Sequence, residues 1–343
     1  MKNKKKFSID ADLLRLFIIM VASFAIMAIM NPDKFLTKNN VQSMCYQFPE
    51  IGIFAIAVMM AMLLGGIDLS VVGVGNLSGI VACLVEIALQ PKIGIWPAIF
   101  VGILCALLCG VLCGMLNGFL IAKVGIPAML ATLGTMEIYT GLGVAMTKGA
   151  AVFGTPDEFT FIGAGKFLGI PGPMVVFIIV VVIFTIVLQK KQYGMELYLL
   201  GTNPKASRFS GINNTAVIMK THISASLLAS VAGIIVASRA NSAKASYGSA
   251  YTLQCLLVAI LGGVNPAGGF GKVIGVVMAI MTLQFLSSGF NILRVDSYFK
   301  TFIWGAVLVL AMIMNYYGNK AADRKKTREA AKINEEAEKK TAD

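Results

Sequence analysis

The sequence predicts an all-α fold, a polytopic transmembrane bundle of about ten spans, and three observations predict it. Of 343 residues, 57% are hydrophobic and only 13% charged, against roughly 25% charged in an ordinary soluble domain. Mean hydropathy is +0.80. Apolar runs of about 20 residues, the length of one bilayer crossing, recur along the whole chain. The same composition excludes other classes. Six cysteines do not make a disulfide scaffold, and a single histidine leaves almost nothing for histidine-based catalysis. The formal charge of +12 resides in bases between or beyond the apolar runs, where membrane orientation explains it better than nucleic acid.

The first run, 13–30, follows the basic start Met1 to Lys6. It is as long as a full crossing and has no small-residue cleavage site before Asn31-Pro32-Asp33, so it reads as an anchor rather than a secretory signal. Further spans fall at 48–64, 71–89, 96–122, 127–147, 173–189, 217–237, 250–264, 272–291 and 298–315. Two of them, 48–64 and 250–264, are short and lead into Gly65-Gly66 and Gly262-Gly263, which suits broken or re-entrant helices. An even count puts both termini on one side. With that side cytoplasmic, most of the 29 bases fall there, while Lys34, Lys38, Lys92, Lys148, Lys166, Arg239, Lys244, Arg294 and Lys300 lie outside, the asymmetry expected of cytoplasmic loops. The predicted organisation is a cytoplasmic N-terminus at 1–12, a permease domain at 13–315 and a charged cytoplasmic tail at 316–343 with helix propensity but no apolar face. The outer segment from Lys148 to Pro173 has room for a short surface helix that meets an external partner.

Between 96 and 122, Gly102, Ala106, Gly110, Gly114 and Gly118 recur every four residues, a small-residue face that lets helix backbones approach closely. Cys105, Cys109 and Cys113 share that spacing, but no histidine or carboxylate accompanies them as a metal site requires. In Gly65-Gly66-Ile67-Asp68-Leu69-Ser70 a carboxylate sits between apolar runs. Asp68 or Ser70 can cap the next helix, and an ionisable group at this depth is also a candidate for the transport pathway. The glycine cluster Leu261 to Lys272 is no phosphate loop: Pro266 stands at the first glycine position and Val273 follows Gly271-Lys272.

The polar stretch 190–216 carries start and stop signals. Asn203 can cap a helix beginning at Pro204, and Gly211 can end it. A short capped helix outside the membrane is a docking element.

Taken together, Gly65 to Ser70, Ile126-Pro127-Ala128-Met129-Leu130-Ala131-Thr132-Leu133-Gly134-Thr135-Met136, Gly194 to Asn213 and Leu261 to Gly271 resemble the membrane permeases of bacterial ATP-binding-cassette importers for simple sugars, the ribose and galactose permease group, which includes carriers of related polyols and autoinducer-type furanosyl signals. The resemblance runs from about residue 13 to 315. It implies a dimer of ten-span subunits, as two copies or two relatives, in the bacterial inner membrane. It also implies a cytoplasmic ATPase pair that binds the ATP and an extracytoplasmic substrate-binding protein. The chain itself would carry no cofactor, bind no nucleic acid and perform no covalent chemistry. Within the coupling segment 194–213, the implied ATPase-coupling residues are Glu196, Gly201, Asn203, Pro204, Ala206, Arg208 and Gly211. The expected pathway or hinge residues are Gly65, Gly66, Asp68, Ser70, Asn76, Thr132, Thr135, Gly262, Gly263 and Asn265; of these, Ser70, Asn76, Thr132, Thr135 and Asn265 would either meet sugar hydroxyls or hydrogen-bond within the bundle. Met195 stands where the family usually carries arginine, Thr202 replaces the second glycine of a Gly-Gly-Asn, and the glycine expected after Ser70-Val71 is displaced to Gly73. A competing class is an ion-coupled secondary transporter using Asp68, Glu86 and Glu137, which needs buried acids or unwound segments to hold the ion.

Overall fold

In lipid no water satisfies a stray peptide group, so apolar runs must close their own hydrogen bonds as helices. A computed structural model describes residues 11–296, 298–310 and 312–313. Residues 1–10 and 314–343, which hold most of the predicted N-terminus and the whole predicted tail, lie outside the described residues. In chain order the elements are α1 (Ala11–Met30), α2 (Pro32–Phe35), α3 (Lys38–Leu63), α4 (Val71–Ile93) and α5 (Ile95–Phe119), which a π-helical turn, Leu120–Val124, prolongs. Next come α6 (Ala128–Thr147), a 3-10 turn (Asp157–Phe159), α7 (Thr160–Ala164) and the strands β1 (Lys166–Phe167) and β2 (Ile170–Pro171). These strands pair antiparallel, Lys166 opposite Pro171 and Phe167 opposite Ile170. The chain continues with α8 (Gly172–Lys190), α9 (Gln192–Thr202), α10 (Pro204–Phe209), α11 (Asn214–Ala240), α12 (Tyr251–Leu261) and α13 (Val273–Ile292), and then α14 (Tyr298–Leu310). The described residues up to Asp296 form one unit. The described residues beyond it form a second unit that contains α14, on which Phe299 and Phe302 stack with ring centroids 6.1 Å apart.

Among the described residues, seven helices are long and apolar enough to cross a membrane: α1, α3, α4, α5 with its π-helical turn, α8, α11 and α13. The predicted run 127–147 is the 20-residue α6, and the runs beginning at 250 and 298 are the shorter apolar helices α12 and α14. One expectation is corrected. The run 48–64 belongs to the 26-residue α3, which starts at Lys38 and continues through Pro49. Its first half is polar because it pairs with other helices: Ser288 Oγ on α13 donates to Asn40 Oδ1 at 2.8 Å, and Gln284 Nε2 donates to Gln47 Oε1 at 3.5 Å. The segment beyond α6 does contain a short helix, α7, as its composition predicts.

The small-residue face of α5 packs as its spacing predicts. A Cβ on Gly110 would overlap Ser230, one on Gly114 would stand 2.6 Å from the His222 carbonyl, and one on Gly118 would stand 2.8 Å from the Met219 sulfur. All three neighbours belong to α11. Gly102 instead faces Glu86 of α4, whose Cγ would be 2.6 Å away. Across the same seam Ser78 Oγ and Ser230 Oγ lie 2.8 Å apart. Ser230 already donates to the Ser226 carbonyl, so Ser78 is the donor of that pair. The six cysteines are free thiols, and no group of three His, Cys, Asp or Glu side chains able to hold a metal occurs among the described residues.

Candidate functional site

Between α3 and α4 the chain leaves helical geometry, and glycines make the exit possible. Gly65 has φ +85°, and a Cβ there would stand 3.0 Å from the Ala267 carbonyl oxygen; on Gly66 it would stand 2.6 Å from Ala128 Cβ. The backbone groups freed by this break need partners. Thr132 of α6 supplies them: its Oγ1 accepts from the Leu69 amide at 3.1 Å and donates to the Ala128 carbonyl at 2.8 Å, with the Ile67 carbonyl 3.1 Å away. Thr135 bonds one turn back, to the Thr132 carbonyl at 3.3 Å.

Asp68 occupies the centre of the break. Its Oδ1 accepts from the Ser70 amide at 2.9 Å and from Ser70 Oγ at 2.6 Å, while Oδ2 faces Nδ1 of His222 on α11 at 3.1 Å. Of the two capping candidates, Asp68 satisfies an amide at the start of α4, whereas the Ser70 side chain makes no cap bond. The network extends further. Asn117 Nδ2 on α5 donates to Ser70 Oγ at 2.8 Å, and the Tyr139 hydroxyl on α6 lies 2.9 Å from the Cys113 carbonyl and 3.1 Å from Asn117 Oδ1. None of these side chains is more than 3% exposed. A buried polar network with its partners in place specifies one arrangement of the elements that contribute to it, here α5, α6, α11 and the break.

His222, Asn117 and Tyr139 were not legible as site residues. A lone histidine has no motif, and Asn117 lies in the stripe that reads as a packing seam; an amide inside that apolar run was the available signal. The three acids of the ion-coupled reading have separate surroundings. Asp68 is engaged as above, Glu86 is buried with neither carboxylate oxygen bonded, and Glu137 is exposed on α6. Asn76 reaches the loop joining α11 to α12, donating to the carbonyls of Ala245 at 3.0 Å and Tyr247 at 2.7 Å. Gly262, Gly263 and Asn265 form the turn after α12: Gly263 has φ +82°, Asn265 Oδ1 accepts from the Ala267 amide at 3.0 Å, and a Cβ on Gly262 would stand 2.8 Å from the α13 backbone at Val276.

The capped helix expected at 204–211 is α10. Asn203 Oδ1 accepts from the amides of Lys205 at 3.1 Å and Ala206 at 3.0 Å, Pro204 is its first residue, and Gly211, with φ +80°, follows the last turn. One side is locked to α11, because Asn214 Nδ2 donates to the Pro204 carbonyl at 2.9 Å and Ser207 Oγ donates to Asn214 Oδ1 at 2.8 Å. The other side, with Lys205, Ala206, Arg208 and Phe209, is exposed, and Phe209 is 93% exposed. Phe209 was not among the predicted coupling residues. Glu196 accepts from Gln192 Nε2 at 2.7 Å along the surface of α9, next to the exposed Met195.

Immediately before α10, backbone meets backbone. A Cβ on Gly201 would overlap the Leu63 carbonyl oxygen and stand 2.7 Å from the Gly269 nitrogen; one on Gly268 would stand 2.6 Å from the Gly201 oxygen and 2.8 Å from the Gly65 nitrogen. The Gly269 amide donates to the Leu63 carbonyl at 3.0 Å, and the Tyr198 hydroxyl donates to the Gly271 carbonyl at 2.7 Å. The end of α9 is therefore clasped between the helix break and the turn after α12, with no side chain between the main chains.

Comparison with known proteins places the chain in a family. Residues 40–312 match the family described as branched-chain amino acid transport system, permease component. The ribose import permease protein RbsC of Bacillus subtilis (strain 168) is 35% identical over 305 residues, 88% of this chain and 91% of that protein. RbsC of Escherichia coli (strain K12) is 32% identical over 303 residues, covering 87% and 92%. The L-arabinose transport system permease protein AraH of the same strain is 30% identical over 306 residues, covering 89% and 91%. No solved structure matches the chain.

Proposed function

The chain belongs to the family of branched-chain amino acid transport system permease components, and on that premise we propose that it is the membrane-spanning subunit of an ATP-binding-cassette importer for a monosaccharide or related small polyol. Its relatives are named for ribose and L-arabinose, so a pentose is the first substrate to test. The working assembly is a pair of permease subunits in the bacterial inner membrane with both termini in the cytoplasm. A cytoplasmic cassette ATPase binds the ATP, and an extracytoplasmic binding protein delivers the sugar to the face that bears α7. This chain holds no nucleotide and makes no covalent bond.

What carries the reading is α10, exposed on one side and locked to the bundle on the other. ATP-driven closure of the ATPases displaces α10. Asn214 passes the displacement to α11, and the clasp at Gly201 passes it to Leu63, Gly65 and the 268–269 turn. Close-packed backbone does not compress, so motion of the handle becomes motion of the helix break, a rigid-body switch between outward and inward states. The polar groups beside the break, Asp68, Ser70 and Thr132, are then re-presented to the pathway on each cycle.

The test is uptake into proteoliposomes. The chain reconstituted with its cassette ATPase and binding protein should accumulate ribose or arabinose with ATP, in the presence of a proton uncoupler. An Ala206→Pro change removes an amide that Asn203 caps and should abolish ATPase association while the protein still inserts. Accumulation by the chain alone, driven by a proton or sodium gradient, would overturn the proposal in favour of the ion-coupled class.

A further inference from the structure

Glu50 lies within α3 and is only 1% exposed. Its Oε1 accepts from Arg239 Nη2 at 2.8 Å and from the Tyr251 hydroxyl at 2.9 Å, whereas Oε2 is buried with no hydrogen-bond partner. Buried polar atoms are nearly always bonded, so an unpaired carboxylate oxygen needs an explanation. A tether between helices does not provide one, because Oε1 alone already makes both contacts.

The position is informative. Glu50 comes from α3, Arg239 from the last turn of α11 and Tyr251 from the first turn of α12. With 11 residues, α12 is too short to cross a bilayer. It begins after the loop whose carbonyls at Ala245 and Tyr247 are held by Asn76 of α4, and Cys255 seats it on α3 through the Ile51 carbonyl at 3.6 Å. Where a helix starts or ends within a membrane bundle it leaves polar atoms without partners along the chain, and carriers use such ends to hold substrate groups. The Arg239 side chain keeps 30% exposure while Oε2 itself is buried, so the switch between outward and inward states has to uncover Oε2 for a ligand to reach it.

The chemistry selects a class of ligand. Charges of Glu50 and Arg239 oppose, so a cation meets the guanidinium and an anion meets the carboxylate. The pair nonetheless offers an unused acceptor, Oε2, next to further N–H donors of a planar fork. A neutral vicinal diol complements both: one hydroxyl donates to Oε2 and its neighbour accepts from the guanidinium. We propose that Glu50, Arg239 and Tyr251 form a sugar-hydroxyl subsite of the translocation pathway at the start of α12, with Glu50 Oε2 accepting from a substrate hydroxyl. Tyr251 is the positioning residue, fixing the carboxylate through Oε1. The proposal rests on the sugar-importer reading above and adds where the sugar is recognised.

The experiment compares maximal ATP-driven uptake of D-ribose, L-arabinose and their monodeoxy analogues by the full reconstituted complex carrying wild-type permease, Glu50→Gln or Tyr251→Phe. The same binding protein serves every complex, so a changed ratio between a sugar and its deoxy analogue belongs to the permease. For wild type, at least one deoxy analogue should be carried roughly tenfold more slowly than its parent, as expected for loss of a hydrogen bond to a charged group. Glu50→Gln should bring that ratio close to one, and Tyr251→Phe should reduce it part of the way. A role confined to holding helices together predicts slower uptake of every sugar with unchanged ratios, and that result overturns the subsite while leaving the importer reading standing. If Glu50→Gln does not assemble, the Tyr251→Phe ratio decides alone. No uptake of any of these sugars by wild type overturns the pentose-importer reading and, with it, the subsite that rests on it.

Discussion

Nδ1 of His222 stands 3.1 Å from Oδ2 of Asp68, two side chains 154 residues apart in sequence and each almost completely buried. The pair joins the long helix α11 to the broken segment between α3 and α4, so it ties a continuous element to a discontinuous one. Replacing His222 by Leu leaves a buried carboxylate without one of its partners. Loss of a hydrogen bond to such a group costs about 1.5–3 kcal/mol, and thermal unfolding in detergent should report it. Adding Asp68→Asn to His222→Leu should cost less than the two single changes together, a coupling of about 0.5–3 kcal/mol in a double-mutant cycle. Strict additivity would show that the pair makes no interaction in solution.

Gly201→Ala places a methyl group against the Leu63 carbonyl. Forced overpacking of this kind costs about 1–3 kcal/mol, and here it falls where the end of α9 meets the helix break. Uptake per ATP hydrolysed should drop several-fold while the chain still inserts and binds its ATPase. The control is Gly134→Ala in α6, where nothing lies within 4 Å of the added Cβ; it should be neutral or slightly stabilising, because alanine is the better helix former by about 1 kcal/mol.

Phe209 is 93% exposed at the end of α10, so truncating it disturbs no packing within the chain. Large aromatic side chains that fill a partner's pocket commonly account for 2 kcal/mol or more of binding (roughly 30-fold). Titration of the detergent-solubilised permease with its ATPase should show Phe209→Ala weakening association by about that factor with thermal stability unchanged. Asn203→Ala, which removes the cap of the same helix, should cost about 1 kcal/mol and weaken association to a smaller extent.

Tyr193 on α9 contacts Thr221 on α11 at 2.8 Å. Thr221 donates to the Val217 carbonyl, so the tyrosine is the donor and must be protonated. Burial pushes its hydroxyl up to about 12, against the smaller opposing effect of its hydrogen bond to Thr221. A group raised above its unfolded value of about 10 contributes stability below that value and loses it as pH rises through the folded one. The wild-type protein should therefore lose stability between about pH 10 and pH 12 partly through Tyr193, and Tyr193→Phe should remove that component while costing about 1 kcal/mol at neutral pH.

Much of the fold was legible because the signals are local. Asn203, Pro204 and Gly211 mark the start and stop of α10 within nine residues of chain, and Gly65-Gly66 marks the break by the backbone freedom it supplies. The four-residue spacing of Gly102 through Gly118 announced a close helix contact without saying with which helix; the structure assigns Gly102 to α4 and Gly110, Gly114 and Gly118 to α11. The span 48–64 was read too short because Asn40 and Gln47 look like surface residues until their partners on α13 are known.

By itself, then, the sequence determined most of the long apolar helices, the break at Gly65-Gly66 and the short capped helix α10, since each depends on residues adjacent in the chain. The tertiary structure alone decided that His222 meets Asp68, that Gly201 meets Leu63 and that Glu50 meets Arg239 and Tyr251. The physical reason lies in the solvent. In water a polar face marks the outside of a helix, but in lipid the outward and inward faces are both apolar, so periodicity does not say which face turns inward or which helix lies against it.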